Sequence, residues 1–240
     1  MSFILGDDTN GLPVEWWAGE GNQNVLTISG GSGSGKTMLA DSIMLQALTR
    51  QYAVIRFDFK DKPLPSPIVS PVDYGEKAET LEVLDRTIAE IKRRGTYRET
   101  YGVEGNPEPR PLLLVFEDLD TLMDSDDRFY LRSVEERLQE IKHGITGLHV
   151  YLVLVASTFP TDDHTQLKNL ITHSGHVHLG YSPIENYILP SNREQASQLL
   201  TRLANHNFQL LPGQGFYEDR FGELKPIQQT HPLEGGNHNA

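Results

Sequence analysis

Residues 25–37 read VLTISGGSGSGKT: a short run suited to a strand, then a glycine-rich stretch that closes on a lysine and a threonine. VLTIS predicts a buried strand. KTMLADSIMLQALTR (36–50) places Met38, Leu39, Ile43, Leu45 and Leu48 at helical spacing. Between them, Gly30, Gly31, Ser32, Gly33, Ser34, Gly35, Lys36 and Thr37 match the phosphate-loop pattern G-x(4)-G-K-[ST], in the strand–loop–helix context that gives the pattern meaning. Glycines let the backbone curl until consecutive N–H groups point inward, forming an anion nest capped by a helix N-terminus. Lys36 then reaches the β- and γ-phosphates, and the Thr37 hydroxyl is placed to ligate Mg²⁺. The candidate nucleotide-binding residues therefore run from Gly30 to Met38, with ATP and Mg²⁺ as the implied ligands.

LLLVFEDLDTLM (112–123) drives carboxylates onto the end of the most hydrophobic run in the chain. A buried strand ending in acids beside a phosphate cradle is a way to hold Mg²⁺ and orient a water. Glu117 takes the metal-facing role, directly or through a metal-bound water, and Asp118 polarises the attacking water as general base. Asp120 is read as a solvated loop acid or a helix cap. Such pairs more often run aspartate then glutamate, so the base here is shorter by one methylene, about 1.3 Å. A misplacement of that order is worth roughly a hundredfold in rate. Either the backbone compensates, or hydrolysis waits for a partner to tighten the site.

Outward from these two segments, YAVIRFDF (52–59) alternates like a strand, HVYLVLVAS (149–157) is a near-continuous apolar strand, and HVHLG (176–180) is a shorter fifth. Helical periodicity covers 76–94, 128–142 and 191–204, while DKPLPSPIVSP (61–71) and GVEGNPEPRP (102–111) read as irregular connections. Five strands separated by helices predict a three-layer α/β fold with a mainly parallel central sheet. Residues 1–232 form one domain in this reading, and 233–240 a flexible tail. In such sheets chemistry sits beyond the carboxyl ends of the strands, where both motifs fall.

Composition narrows the setting. The 240 residues contain no cysteine, which excludes disulfides and thiolate metal sites and points to a reducing, cytoplasmic compartment. No run reaches the ~18 apolar residues of a membrane span, and MSFILGDDTNG lacks the pattern of a signal peptide. The net charge of −12 argues against tight nucleic-acid binding through a broad surface, although a local basic patch acts within a Debye length of ~8 Å.

ISGGSGSGKT, FEDLDTLM and GLHVYLVLVAS, in that order, resemble the motor domain of the FtsK/SpoIIIE DNA translocases of the FtsK–HerA superfamily. ILGDDTNGLPVEW is similar to that family's lead-in to the phosphate loop, and FDFK (57–60) to its aspartate-x-lysine after the second strand. GYSPIENYILPS and LPGQGFYEDRF look like its closing elements. The likeness spans roughly residues 4–232. It implies that residues 1–232 are a single RecA-like P-loop NTPase motor domain, an ATPase that assembles as a homo-oligomeric ring, usually a hexamer, and drives double-stranded DNA through it in chromosome, plasmid-transfer or phage-packaging work.

Two positions depart from the family pattern. Thr158 stands where a glutamine usually senses the γ-phosphate, and Tyr187 where an arginine is frequent. With no DNA-reading domain and no membrane segment in view, the expectation is a bare motor, or a minimal relative such as a mobile-element or phage-encoded protein, with a membrane complex or partner protein as a candidate dock and no insertion into the bilayer itself. Arg128, Arg132, Arg137, Arg193 and Arg202 are candidates for the arginine that meets a neighbour's γ-phosphate, and Arg137 is preferred. Lys92-Arg93-Arg94 and Lys142-His143 are the DNA-facing candidates. His176 and His178 share one face of a strand, but without cysteines and with His173 alone nearby they are read as structural. Trp16-Trp17 is expected to cover a sheet edge. The alternative functions are a type VII-like protein-secretion ATPase and a weakly hydrolysing nucleotide-binding assembly module.

Overall fold

The computed structural model describes residues 2–19, 23–59, 77–101, 110–159, 171, 174–180, 190–205, 210–219 and 221–229. VLTISG forms β3 (Val25–Gly30) with every residue buried, and the helix after the glycine loop is α1 (Lys36–Thr49). Then follow β4 (Ala53–Asp58), α2 (Lys77–Tyr101), β5 (Leu112–Glu117), the short α3 (Leu119–Met123), α4 (Arg128–Gly144), β6 (Val150–Ala156), β7 (Gly175–Leu179) and α5 (Pro190–Asn205). Ahead of them lie β1 (Ser2–Asp7) and β2 (Pro13–Trp17), and after them β8 (Gln214–Glu218) and β9 (Leu224–Gln228).

Among the described residues all nine strands join one sheet, in the order β2-β1-β9-β8-β7-β3-β6-β5-β4. The five strands from β7 to β4 run parallel, and the other four pairings are antiparallel. One strand, β6, separates the glycine-loop strand β3 from the acidic strand β5. Their carboxyl ends therefore open on the same edge of the sheet, with room for a ligand between them. This is the three-layer, mainly parallel α/β architecture expected.

Period-two alternation sorts the side chains. Leu113 and Val115 pack with Leu26, Ile28, Leu39 and Ile43 on the α1 face. Leu112, Leu114 and Phe116 pack with Leu84, Ile88, Val134 and Leu138 on the α2–α4 face. Both clusters are fully shielded, so truncating one of these leucines to alanine removes about 2–5 kcal/mol.

The four antiparallel strands are what a five-strand reading lacks. β1 is broken by an irregular register between Ile4 and Gly6, β2 starts on Pro13, and β9 carries Pro226, so none shows a clean alternating run. The lead-in ILGDDTNGLPVEW thus lies on the β1–β2 hairpin and LPGQGFYEDRF carries β8, while most of GYSPIENYILPS lies outside the described residues. α2 ends at Tyr101 rather than Arg94, running through Gly95. The Trp16-Trp17 pair splits across β2: Trp16 is buried and stacked on Phe3 at 5.4 Å, whereas Trp17 is half exposed on the edge strand. The irregular segment 61–71, most of 102–111, Lys60, His173, Tyr187 and the tail 233–240 lie outside the described residues. Among the described residues no helix is long and apolar enough to cross a membrane.

Candidate functional site

The glycine loop is shaped by contacts that only glycine tolerates. At Gly30 a Cβ would collide with the Leu179 carbonyl oxygen and Ser34 Oγ. Gly35, with φ 99°, caps α1, and a Cβ there would stand 2.9 Å from the Gly213 nitrogen. α1 has no side-chain cap and no acidic residue in its first turn, so no carboxylate of that turn offsets the positive end of its dipole. Lys36 Nζ donates to the carbonyls of Gly30 (2.6 Å) and Gly31 (3.1 Å), which parks the ammonium at the loop's mouth. Ser34 Oγ is buried without a hydrogen-bond partner, Thr37 is half-buried, and the Met38 side chain is exposed.

The loop is braced from a distant part of the chain. Gly213 N–H donates to the Ser34 carbonyl at 2.8 Å, and Gln229 N–H donates to the Gly213 carbonyl at 2.8 Å. No local pattern signals this support.

On the acidic side, Glu117 continues the alternation of Leu113 and Val115 and so lies on the α1 face, in register with Asp58 of β4. Asp58, Glu117 and Asp118 each offer a carboxylate oxygen within 4.8 Å of the others. Asp118 adopts φ 54°, ψ 43°, a left-handed conformation in which aspartate is among the few tolerated residues. The strand thus turns sharply at the candidate base. Hard oxygen donors on one side, with an ammonium, a hydroxyl and a helix N-terminus on the other, fit a Mg²⁺-triphosphate.

Arg56 is the functional-site residue that the sequence reading missed. It is 2% exposed, and its Nη2 donates to Glu117 Oε2 at 2.5 Å and lies 3.5 Å from Asp58 Oδ2. Glu117 Oε1 and Arg56 Nε are buried without partners. Burial pushes the Glu117 carboxyl up to about 7; Arg56 opposes that shift, while Asp41 and Asp58 add to it. The only local sign was one arginine set in the apolar strand AVIRFD.

Asp120 is not a solvated loop acid. Its Oδ2 accepts from Ser157 N–H at 2.5 Å and its Oδ1 from Thr158 N–H at 3.3 Å. It therefore latches the start of α3 to the loop after β6, and the Thr158 side chain stands exposed there.

Arg137 lies away from this group. It makes a two-pronged pair with Asp85 across α2 and α4, at 2.8 and 3.0 Å, and donates to the Ser133 carbonyl. To act on a neighbour's phosphate it would have to break that pair. In the basic triplet, Lys92 pairs with Glu140 (2.6 Å) and Arg93 with Glu90 (2.7 Å). Arg94 is buried against Glu90 and the Arg110 carbonyl. Burial lowers the pKa of Lys142. Among the other finger candidates, Arg132 pairs with Glu136 at 3.0 Å.

His176 and His178 do share a face, opposite α1. His176 Nδ1 lies 2.5 Å from Thr27 Oγ1, and His178 Nδ1 lies 2.9 Å from Ser29 Oγ. His178 Nε2 is 3.2 Å from Glu218 Oε2, whose other oxygen accepts from Asn192 Nδ2 at 2.7 Å. Burial depresses both imidazole pKa values, that of His176 to about 3. Among the described residues the candidate metal group is the Asp58–Glu117–Asp118 set.

Fold and glycine loop together define an α/β domain that carries a phosphate-loop pattern between β3 and α1. No family model matches the chain and no curated protein does. Solved structures do. The chain superposes with a TM-score of 0.70 on the conjugation coupling protein TcpA of pCW3, solved as a monomer with ATPγS, at 17% identity over 96% of this chain and 66% of that one. It superposes at 0.67 on the cytoplasmic domain of EssC, at 16% identity over 96% of this chain and 44% of that one. It also superposes at 0.67 on the cytoplasmic domain of the Thermomonospora curvata type VII secretion ATPase EccC, at 18% identity over 100% of this chain and 29% of that one. The chain therefore spans two thirds or less of each of these neighbours, and it shares their fold.

Proposed function

We propose that this chain is the motor domain of a Mg²⁺-dependent ATPase that works in the cytoplasm as a ring, hexameric by preference, and drives double-stranded DNA. What supports the reading is a single arrangement: a glycine loop with its lysine folded over the mouth, and three carboxylates gathered at the ends of β4 and β5 on the same edge of the sheet. In this reading the N–H groups of residues 31–38 and the Lys36 ammonium hold the β- and γ-phosphates. Thr37 and Glu117 hold the metal, which supplies charge neutralisation and polarises the phosphoryl oxygens when bound. Asp118 accepts a proton from the attacking water, its carboxylate presented by the left-handed turn at the strand end. Thr158, held by the Asp120 latch, offers a hydrogen bond to the γ-phosphate side. Arg137 serves as the arginine presented to the neighbouring subunit.

ATP turnover measured against protein concentration, with and without long duplex DNA, tests this. The expected result is a severalfold stimulation by DNA, with hydrolysis abolished in Lys36→Ala. Absence of any nucleotide binding would overturn it. A second reading, a motor moving protein as in secretion ATPases, is favoured by one observation: Lys92, Arg93 and Arg94 are all engaged with acids or carbonyls of their own chain, which carries a net charge of −12. Brisk turnover that ignores DNA and rises with a protein substrate would select it. Unchanged turnover in Asp118→Asn with ATP-dependent assembly retained would select a nucleotide-binding assembly module.

A further inference from the structure

Arg56 sits where its charge matters and its burial is hardest to explain by packing. It is flanked in β4 by Ile55 and Phe57, and a valine or leucine there would extend the apolar face that Val54 begins. Instead a guanidinium enters the α1 face, hydrogen-bonds Glu117 Oε2 and approaches Asp58, with Asp41 of α1 adding to its electrostatic surroundings. Of its five N–H donors, the Nε–H is buried with no partner, as is Glu117 Oε1. A purely structural ion pair would satisfy those atoms, since leaving them bare is unfavourable. The pair is thus made at one oxygen and left open at the other.

Two consequences follow for a cation. The guanidinium offsets part of the negative charge of Asp58, Glu117 and Asp118, and it engages one of the oxygens a divalent ion would need. A free ion meets a cluster already partly neutralised. An ion chelated by phosphates arrives with anionic oxygens of its own and depends on the carboxylates less.

We propose that Arg56 is a positioning residue that reserves the Glu117 carboxylate for a nucleotide-bound divalent cation and keeps free cation out of the acidic cluster. This rests on the reading of Glu117 as the metal-side acid.

The test uses the full chain without nucleotide, titrated with Mn²⁺ and followed by the electron paramagnetic resonance of free Mn²⁺. Wild type binds weakly. Arg56→Met binds about tenfold more tightly or better, because a neighbouring positive charge is gone, and Arg56→Lys, which keeps a cation, falls between them. Arg56→Met that is folded yet has wild-type Mn²⁺ affinity overturns the proposal. If Arg56→Met does not fold, Arg56→Lys still decides: equality with wild type counts against the proposal.

A second measurement needs no variant. In ¹⁵N-arginine-labelled wild type, the restricted Nη resonance of Arg56 persists with Mg²⁺ alone and with ATPγS alone, and is released by the two together. Persistence with both, while calorimetry shows ATPγS bound, overturns the proposal. A chain that binds no ATPγS defeats the ATPase reading instead, and the nucleotide-free Mn²⁺ comparison then judges Arg56 by itself.

Discussion

Two buried polar groups stand on opposite faces of the same sheet, and they are built by different rules. On the α1 face, Arg56 meets Glu117 and Asp58 with buried Nε and Oε1 atoms left unpaired. On the other face, Ser29, His178, Glu218 and Asn192 form a continuous chain of contacts between 2.7 and 3.2 Å, with Thr27 and His176 alongside. Both adjoin strands that end at the candidate site. The difference teaches how to tell chemistry from scaffolding: a satisfied buried network fixes one arrangement, whereas a half-satisfied one holds energy that a ligand can release. The first group should therefore answer to substitution in turnover, the second in stability.

The largest expected effect is on Glu117. Glu117→Gln should lower ATP turnover by about a thousandfold, or ~4 kcal/mol of transition-state stabilisation, in protein whose unfolding midpoint falls less than that of a His178 variant. Full activity in Glu117→Gln would break the contrast at its stronger end. Next, His178→Ala should remove about 3 kcal/mol of stability by cutting the Ser29–His178–Glu218 chain, read from urea unfolding, with turnover of the folded fraction near that of wild type.

Acid should sharpen the contrast further. His176 titrates near 3 in the folded chain against an ordinary 6.5, so its stabilisation is complete above 6.5 and is lost as pH falls toward 3, when the unfolded chain takes up the proton first. The loss reaches about 2 kcal/mol by pH 5, and the slope of urea midpoint against pH should flatten in His176→Asn. Asp120→Asn, which leaves one of the two loop N–H groups with a poorer acceptor, should cost about 1 kcal/mol and slow turnover severalfold. Smallest is Arg137→Ala: the pair with Asp85 is partly exposed and contributes under about 1 kcal/mol. That is its effect on stability alone. If Arg137 is the arginine presented to the neighbouring subunit, turnover of the assembled variant should collapse while stability stays intact, and unchanged turnover would remove it from that role.

What was legible in the sequence follows from range. The glycine loop, the acids after LLLVF and the shared face of His176 and His178 are local patterns with a fixed period, and they could be placed before any coordinates. Arg56 and Glu117 are 61 residues apart, His178 and Glu218 are 40 apart, and Asp120 and Ser157 are 37 apart. No spacing rule joins such pairs, so Arg56 went unnoticed and Asp120 was read as a solvated loop acid or a helix cap. The antiparallel strands were missed because β1, β2 and β9 are short and interrupted by a bulge or proline, and because their partners lie at the far end of the chain.

The brace behind the glycine loop has an implication for how this polypeptide matures. Ser34 is held by Gly213, Gly213 by Gln229, and Asp7 of β1 pairs with Gln228 of β9. During vectorial synthesis the ribosome releases the loop nearly two hundred residues before Gln229, so the nascent chain carries an unbraced cradle across that stretch. Competence to grip a triphosphate would then be switched on when β8 and β9 pair, which makes ligand capture a late checkpoint in the folding of this domain.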